Sequence, residues 1–291
     1  MRRVMADTAV RLPSPGLSPF ISRYAGYRVS ELPSGVHVGL PSSGIDLFIS
    51  LGHPIEVVKM PGSIQRPSVL TAFVSGLRDG PAIVRQDCNA FGLHVFIKPL
   101  GVRAILGVAS HEIASLVLNL SDLWGNRAED LVEMLLGADT WYQRFAILDH
   151  AFTTKLNPFS PQPEILWAWE KLAKSHGCVS IQRLAGETGY GRRHFSERFR
   201  DTIGVSPKTA ARVFRFERAC RLMADKRLGL AHVAIECGYY DQAHLTREWY
   251  ALAGCSPKAW IIRELPFLQD YELGGSHNEL DDVESVHPTF R

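Results

Sequence analysis

Residues 184–208 read LAGETGYGRRHFSERFRDTIGVSPK, and residues 233–258 read VAIECGYYDQAHLTREWYALAGCSPK. The two stretches are copies of one pattern. Leu184-Ala185 and Gly189-Tyr190 match Val233-Ala234 and Gly238-Tyr239 at an offset of 49. Beyond the turn the offset is 50, so that Phe195 matches Leu245, Phe199 matches Trp249, and Gly204 to Lys208 match Gly254 to Lys258. The second turn is therefore one residue longer. A period of about fifty residues that occurs twice is a duplicated unit rather than a solenoid.

Each copy reads as a short helix, a glycine turn, a second helix and a glycine stop. Ser180 is a natural N-cap for a helix over Ile181–Thr188, and Gly189 supplies the backbone freedom of a tight turn. The next helix runs from about Arg192 to Ile203. Its Phe195, Phe199 and Ile203 fall four apart and form one buried stripe, which leaves Arg193 and Glu197 outward. In the second copy Leu245, Trp249 and Ala253 form the stripe. Ala243, His244 and Arg247 then face outward, with Gln242 and Thr246 on the flanks.

Those outward side chains suit DNA. Arginine can donate two hydrogen bonds to guanine O6 and N7, glutamine can pair with adenine, and threonine or alanine can meet a thymine methyl group, all in a groove that admits a helix. Arg193, Ser196, Glu197, Gln242, Ala243, His244, Thr246 and Arg247 are the candidate contacts on the two reading helices. Both copies end in Ser-Pro-Lys. Ser206 or Ser256 caps the helix that follows, and proline sits in its first turn, where no amide hydrogen is missed. Lys208 and Lys258, helped by Arg192 and Arg198, are candidate phosphate contacts that would set register without reading sequence. Between the copies, Thr209–Ala224 reads as one long helix with Arg212, Arg215, Arg218 and Arg221, expected on a solvated face. A rod of this kind would fix the distance between two readers and place them in consecutive major-groove segments.

The run from Cys237 to Trp249 (CGYYDQAHLTREW), followed by Gly254-Cys-Ser-Pro257, resembles the second helix-turn-helix signature of the AraC/XylS family of bacterial transcription regulators. The first copy is a looser match, with Gly191 where the family usually has a polar residue and Glu197 where an arginine is common. The resemblance spans residues 164–265 and extends more weakly over Pro99–Leu156. It implies a sequence-specific regulator that binds double-stranded promoter or operator DNA. By analogy, the start of the chain would be a cupin-like barrel that takes a small-molecule effector or forms a homodimer through helices near Ala128–Leu136 and Trp141–Leu156. RNA polymerase is a further expected partner.

Upstream of the repeat the pattern changes. Short apolar runs broken by Gly and Pro, Gly35–Leu40, Ile45–Leu51, Glu56–Met60, Val69–Val74, Ala82–Arg85 and Leu93–Ile97, favour a small β-sandwich or barrel. From Gly101 the spacing is helical, through Ile105, Ile113, Leu116, Val117, Leu120 and Leu123, then Leu131 and Leu135, then Trp141, Phe145, Leu148 and Phe152. The segment NPFSPQP at 157–163 holds three prolines in seven residues and reads as a linker. The expected fold class is thus α+β in two domains: a β-rich unit with appended helices at 1–156, the linker at 157–163, an all-α double helix-turn-helix at 164–265, and a tail at 266–291.

Charge follows the same division. Residues 161–265 carry 17 Lys and Arg against 11 Asp and Glu, whereas the tail from 266 carries one against six and is expected to be disordered. The basic surplus suits a polyanion, yet it is too small for a non-specific architectural DNA binder. No apolar run reaches the length of a membrane span and no signal peptide opens the chain, so a cytoplasmic protein with no membrane partner is expected. Five unpaired cysteines, Cys88, Cys178, Cys220, Cys237 and Cys255, read as reduced and mostly packing residues.

No catalytic residue, cofactor or metal is expected. His37, His53 and His94 lie on candidate strands, but no HxH followed by a spaced Glu is present, and Phe48, Phe73 and Phe96 read as core. An alternative is fusion to a DNA-repair alkyltransferase-like activity, since AraC-like domains occur with such domains. Cys88 is the only amino-terminal cysteine, without the cluster that zinc-bound chemistry needs. GxSxG, HExxH and phosphate-loop patterns are absent.

Overall fold

The structure, a computed structural model, describes residues 5–30, 35–62, 65–86, 88–157, 162–224 and 228–263. Residues 158–161 of the proline-rich segment and the whole acidic tail lie outside the described residues.

The amino-terminal half is built on strands β1 (Met5–Arg11), β2 (Ile21–Ser30), β3 (Gly35–Gly39), β4 (Ile45–Ser50), β5 (Ile55–Lys59), β6 (Ser68–Leu70), β7 (Ala72–Ser75), β8 (Ala82–Gln86), β9 (Ala90–Ile97) and β10 (Val117–Asn119). They form a six-stranded sheet in the order β1-β2-β9-β4-β7-β10 and a four-stranded sheet in the order β3-β8-β5-β6. Every recorded pairing is antiparallel. Period-two alternation fixes the register of the central strands. Ile45, Leu47 and Ile49 of β4 and Leu93, Val95 and Ile97 of β9 point to one face and are all at most 1% exposed. On the opposite face Phe48 and Phe73 pack with Val57, Ala82 and Val84 of the other sheet. His94 is a packing residue there, with Nε2 2.9 Å from Asp46 Oδ1 and its ring stacked 4.2 Å from Phe48.

Three expectations change. The run Val69–Val74 is two strands in different sheets, β6 and β7, because the chain crosses between sheets at Thr71. Val117 was expected on a helix but opens β10, after Ser115 turns the backbone with φ 58°. Strands β1 and β2 were not read at all. β2, paired along its edges with β1 and β9, is buried on both faces, so its sequence ISRYAGYRVS has no alternation to read.

Helices α1 (Leu120–Trp124), α2 (Asn126–Leu136) and α3 (Trp141–Lys155) cover the outer face of the larger sheet. Thr140 and Gln143 form a capping box that starts α3. The buried Arg144 donates to the carbonyls of Leu135 and Ala138 and so satisfies the end of α2. The Tyr24 ring stacks against Phe145 and Phe152 at 6.0 and 6.2 Å. Asp149 accepts from Tyr24 Oη at 2.9 Å, Ser14 N at 3.0 Å and Arg11 Nη2 at 3.1 Å, which ties β1 and β2 to α3. Burial and the Asp149 charge push the Tyr24 phenol well above its ordinary value.

The carboxy-terminal half is helical: α4 (Pro163–Lys174), α5 (Ile181–Glu187), α6 (Arg192–Ile203), α7 (Pro207–Ala224), α8 (Leu230–Glu236), α9 (Gln242–Ala253) and α10 (Pro257–Arg263). Its buried side chains divide within α7. Ile165, Leu184, Phe195, Phe199 and Phe214 are continuous with the sheet core, whereas Phe216, Met223, Val233, Leu245, Trp249 and Trp260 make a separate cluster. At the seam between the halves, Glu217 of α7 is 9% exposed, and its Oε1 accepts from Ser43 N at 2.8 Å and Ser43 Oγ at 3.1 Å. Gly204, at φ 104°, lies so close to Ser110 that an added Cβ would stand 2.8 Å from its carbonyl oxygen.

None of the five cysteines is in a disulfide. Cys237 is buried, Cys220 and Cys255 are half-buried, and Cys88 and Cys178 are exposed, so packing accounts for three of the five. Burial pushes the Cys237 thiol up to about 12 and raises that of Cys220 too. A thiol-alkylating reagent at neutral pH is expected to modify Cys88 and Cys178 of the native protein and to reach Cys220 and Cys237 only after unfolding, as peptide mass mapping would show. A second expectation concerns Gly26, where an added Cβ would stand 2.3 Å from the Trp141 ring. Gly26→Ala should displace that ring and lower stability by about 1–3 kcal/mol, read from the denaturant midpoint.

Candidate nucleic-acid interface

Two helix pairs carry the surface. In the first, Ser180 Oγ accepts from Arg183 N at 3.4 Å to start α5, and Gly189 at φ 73° turns the chain toward α6. In the second, Gly238 at φ 72° does the same between α8 and α9. Both positions fall in the left-handed region that favours glycine. The stripes expected from spacing are all buried: Phe195, Phe199 and Ile203 on α6, and Leu245, Trp249 and Ala253 on α9, at 0–1% exposure. Phe199 packs against Trp169 of α4, and Trp249 against Phe216 of α7 and Trp260 of α10, so each reading helix is fixed in rotation about its own axis.

With the stripes inward, the polar faces turn out. Arg192, Arg193, Glu197 and Arg198 of α6 are exposed, and Ser196 is half-buried with its hydroxyl donating to Arg192 O at 2.9 Å. On α9, Gln242, Ala243 and Arg247 are exposed. His244 and Thr246 are half-buried, and Thr246 Oγ1 donates to Gln242 O at 2.9 Å. Because both hydroxyls are engaged by their own helix, the Thr246 methyl group is what remains to meet a partner. Lys208 and Lys258 are exposed in the first turns of α7 and α10. The caps before them are as expected: Ser206 Oγ accepts from Thr209 N at 3.1 Å and Ser256 Oγ from Ala259 N at 3.2 Å.

The two reading helices differ at their starts. Asp241 caps α9 through its side chain, with Oδ1 accepting from His244 N at 2.6 Å. Gly191 caps α6 with backbone alone. The extra residue of the second turn is Tyr240, 91% exposed directly before Asp241. Its exposure is not legible from residue type, although the shift of offset from 49 to 50 marks the insertion. His244 is held from both sides, its Nδ1 accepting from Tyr240 N at 3.3 Å and its ring lying edge-on to Tyr239 at 5.4 Å.

The arginines of α7 do not form a solvated face. Arg212 Nε pairs with Glu248 Oε2 at 2.7 Å and its Nη1 with Asp79 Oδ2 at 3.3 Å. Arg215 Nη1 donates to Gly177 O at 2.8 Å, Arg218 Nη2 pairs with Glu236 at 3.3 Å, and Arg221 lies 3.4 Å from His176 Nδ1. These bonds run from α7 to the α4–α5 loop, to α8, to α9 and to the sheet domain. They brace the two helix pairs against one rod, which sequence spacing alone could not show because the partners are 18 to 133 residues away.

Among the described residues no group of three or more His, Cys, Asp or Glu is placed to hold a metal ion, and no helix is long and apolar enough to cross a membrane.

Comparison with known proteins agrees with this geometry. A family model described as a helix-turn-helix domain matches residues 184–263, from within α5 through the end of α10. The virulence regulon transcriptional activator VirF of Yersinia enterocolitica is 27% identical over 77 residues, which are 26% of this chain and 28% of that protein. The thermoregulatory protein LcrF of Yersinia pestis gives the same figures. The chain thus spans about a quarter of the length of the curated relatives it matches. The crystal structure of ToxT from Vibrio cholerae O395 aligns with 88% of this chain and 97% of its own, at 11% identity and a TM-score of 0.48. What the matches share is a helix-turn-helix domain, placed by the family model at residues 184–263.

Proposed function

We propose that this chain is a sequence-specific DNA-binding transcription regulator that reads two consecutive major-groove segments of a promoter, α6 in one and α9 in the other. The observation that carries this reading is the matched exposure of the two helices. Each buries a stripe at four-residue spacing and turns outward a face whose chemistry pairs with base edges. Arg193, Gln242, Ala243, His244, Thr246 and Arg247 contact bases, with Ser196 and Glu197 beside them. Arg192, Arg198, Lys208 and Lys258 contact phosphates.

In this reading residues 1–156 sense a small-molecule effector or a dimer state, and residues 157–163 link them to the reader at 164–265. The sheet domain reaches the reader through Ser43 and Glu217 and through Asp79 and Arg212, so a change in either domain is felt by the other. The protein works in the cytoplasm, has no enzymatic activity, and acts on transcription through RNA polymerase.

Retention of fragmented DNA from the source organism by the full chain, followed by sequencing, tests the reading. Enrichment of one motif with two half-elements about one helical turn apart, lost in the Arg193→Ala/Arg247→Ala double variant, is the expected result. Only a salt-sensitive background without a motif would overturn it. On a cognate duplex, Arg247→Ala should cost about 1–3 kcal/mol and relax specificity at one base, whereas Lys258→Ala should weaken binding to all sequences and lower the salt slope by about 1. Equal behaviour of the two variants in a salt titration of binding would refute the division of roles.

A further inference from the structure

The two reading helices differ in charge at two matched positions. At the offset of 50, Arg193 corresponds to Ala243 and Glu197 to Arg247. The second reader therefore carries its arginine at the later position with alanine one turn before it, and the first carries its arginine one turn earlier with glutamate in the later place. In the structure Arg193 Nε donates to Glu197 Oε1 at 2.9 Å, although the two side chains are 94% and 58% exposed.

A carboxylate on a face that approaches phosphates is repelled unless a cation neutralises it, and Arg193 does so. The bond also selects a geometry. The guanidinium has five donors in a fixed fork, and with Nε held by Glu197 the Nη1 and Nη2 groups keep their donors for another acceptor. In water such an exposed pair is screened and weak. It strengthens when a duplex displaces the surrounding solvent.

We propose that Arg193 and Glu197 form one composite base reader, in which Glu197 is a positioning residue that holds the arginine fork toward a guanine, and that the first helix consequently reads its guanine one helical turn nearer the helix start than Arg247 does in the second. Four residues of helix separate the two positions, about 6 Å along the axis. The inference rests on the DNA-reading function proposed above and assigns its specificity.

Selection of bound duplexes from a randomised library, with the full chain and its variants, tests it. The unaltered protein should select a guanine in each half-element. Arg193→Ala and Arg193→Lys should both remove the guanine of the first half-element only, because lysine keeps the charge but not the fork. Glu197→Ala should reduce the preference for that guanine by about tenfold while binding to non-specific DNA tightens, because a negative charge has gone. Glu197→Gln, which keeps an acceptor oxygen, should restore part of the preference. The transplant Ala243→Arg/Arg247→Glu should move the guanine of the second half-element by one or two base pairs. Three results would overturn the proposal: an unchanged guanine preference in Glu197→Ala, loss of a cytosine there instead, which would make Glu197 a direct reader, or a transplant that leaves the second guanine in place. Failure to recover any motif with the unaltered chain would instead remove the DNA-reading function on which the proposal stands.

Discussion

A carboxylate taken out of water is costly unless donors replace the water it loses, by several kcal/mol when nothing does. Glu217 meets that constraint at the seam, with a backbone amide and a hydroxyl of Ser43 on one oxygen. Its position in the middle of α7 matters more than its energy. Phe214 and Phe216, just before it, belong to different buried clusters, so the helix that joins the two readers is also the one clamped to the sheet domain. The arginines of α7 extend the same principle to its edges, bonded to the α4–α5 loop, α8, α9 and the sheet domain. A rod free on one side could swivel; one bonded in four directions holds both reading helices in a single arrangement.

The parts of this molecule that were legible in the sequence are those where local chemistry decides the outcome. The buried stripes of α6 and α9, the glycines at positive φ and the Ser-Pro-Lys caps follow from periodicity and turn sterics, and each stands where the residues place it. The central strands β4 and β9 were legible for the same reason. What escaped depends on partners distant in sequence. β2 shows no alternation because both of its faces are buried, and the arginines of α7 look like a solvated face until Asp79, Gly177, Glu236 and Glu248 are brought beside them. Tyr240 was visible only as an insertion, since residue type cannot say that a tyrosine stands clear of the surface.

The duplication has not kept its two copies alike. Asp241 already occupies the amide donors at the start of α9, whereas Gly191 leaves those of α6 without a side-chain acceptor. The apolar frame is conserved between the copies and the polar face is not. One scaffold thus presents two chemically different surfaces held by the same packing.

The division of buried side chains within α7 also bears on how the protein comes apart. The first helix pair shares its apolar contacts with the sheet domain, whereas the second rests on a cluster of its own, centred on Trp249 and Trp260. Segments with separate apolar clusters open as separate cooperative units, each with its own free energy. Backbone amides of α8 and α9 would then exchange with solvent deuterium through an opening that leaves α5 and α6 protected, so that one half of a symmetric-looking pair can fray while the other survives as long as the sheet does.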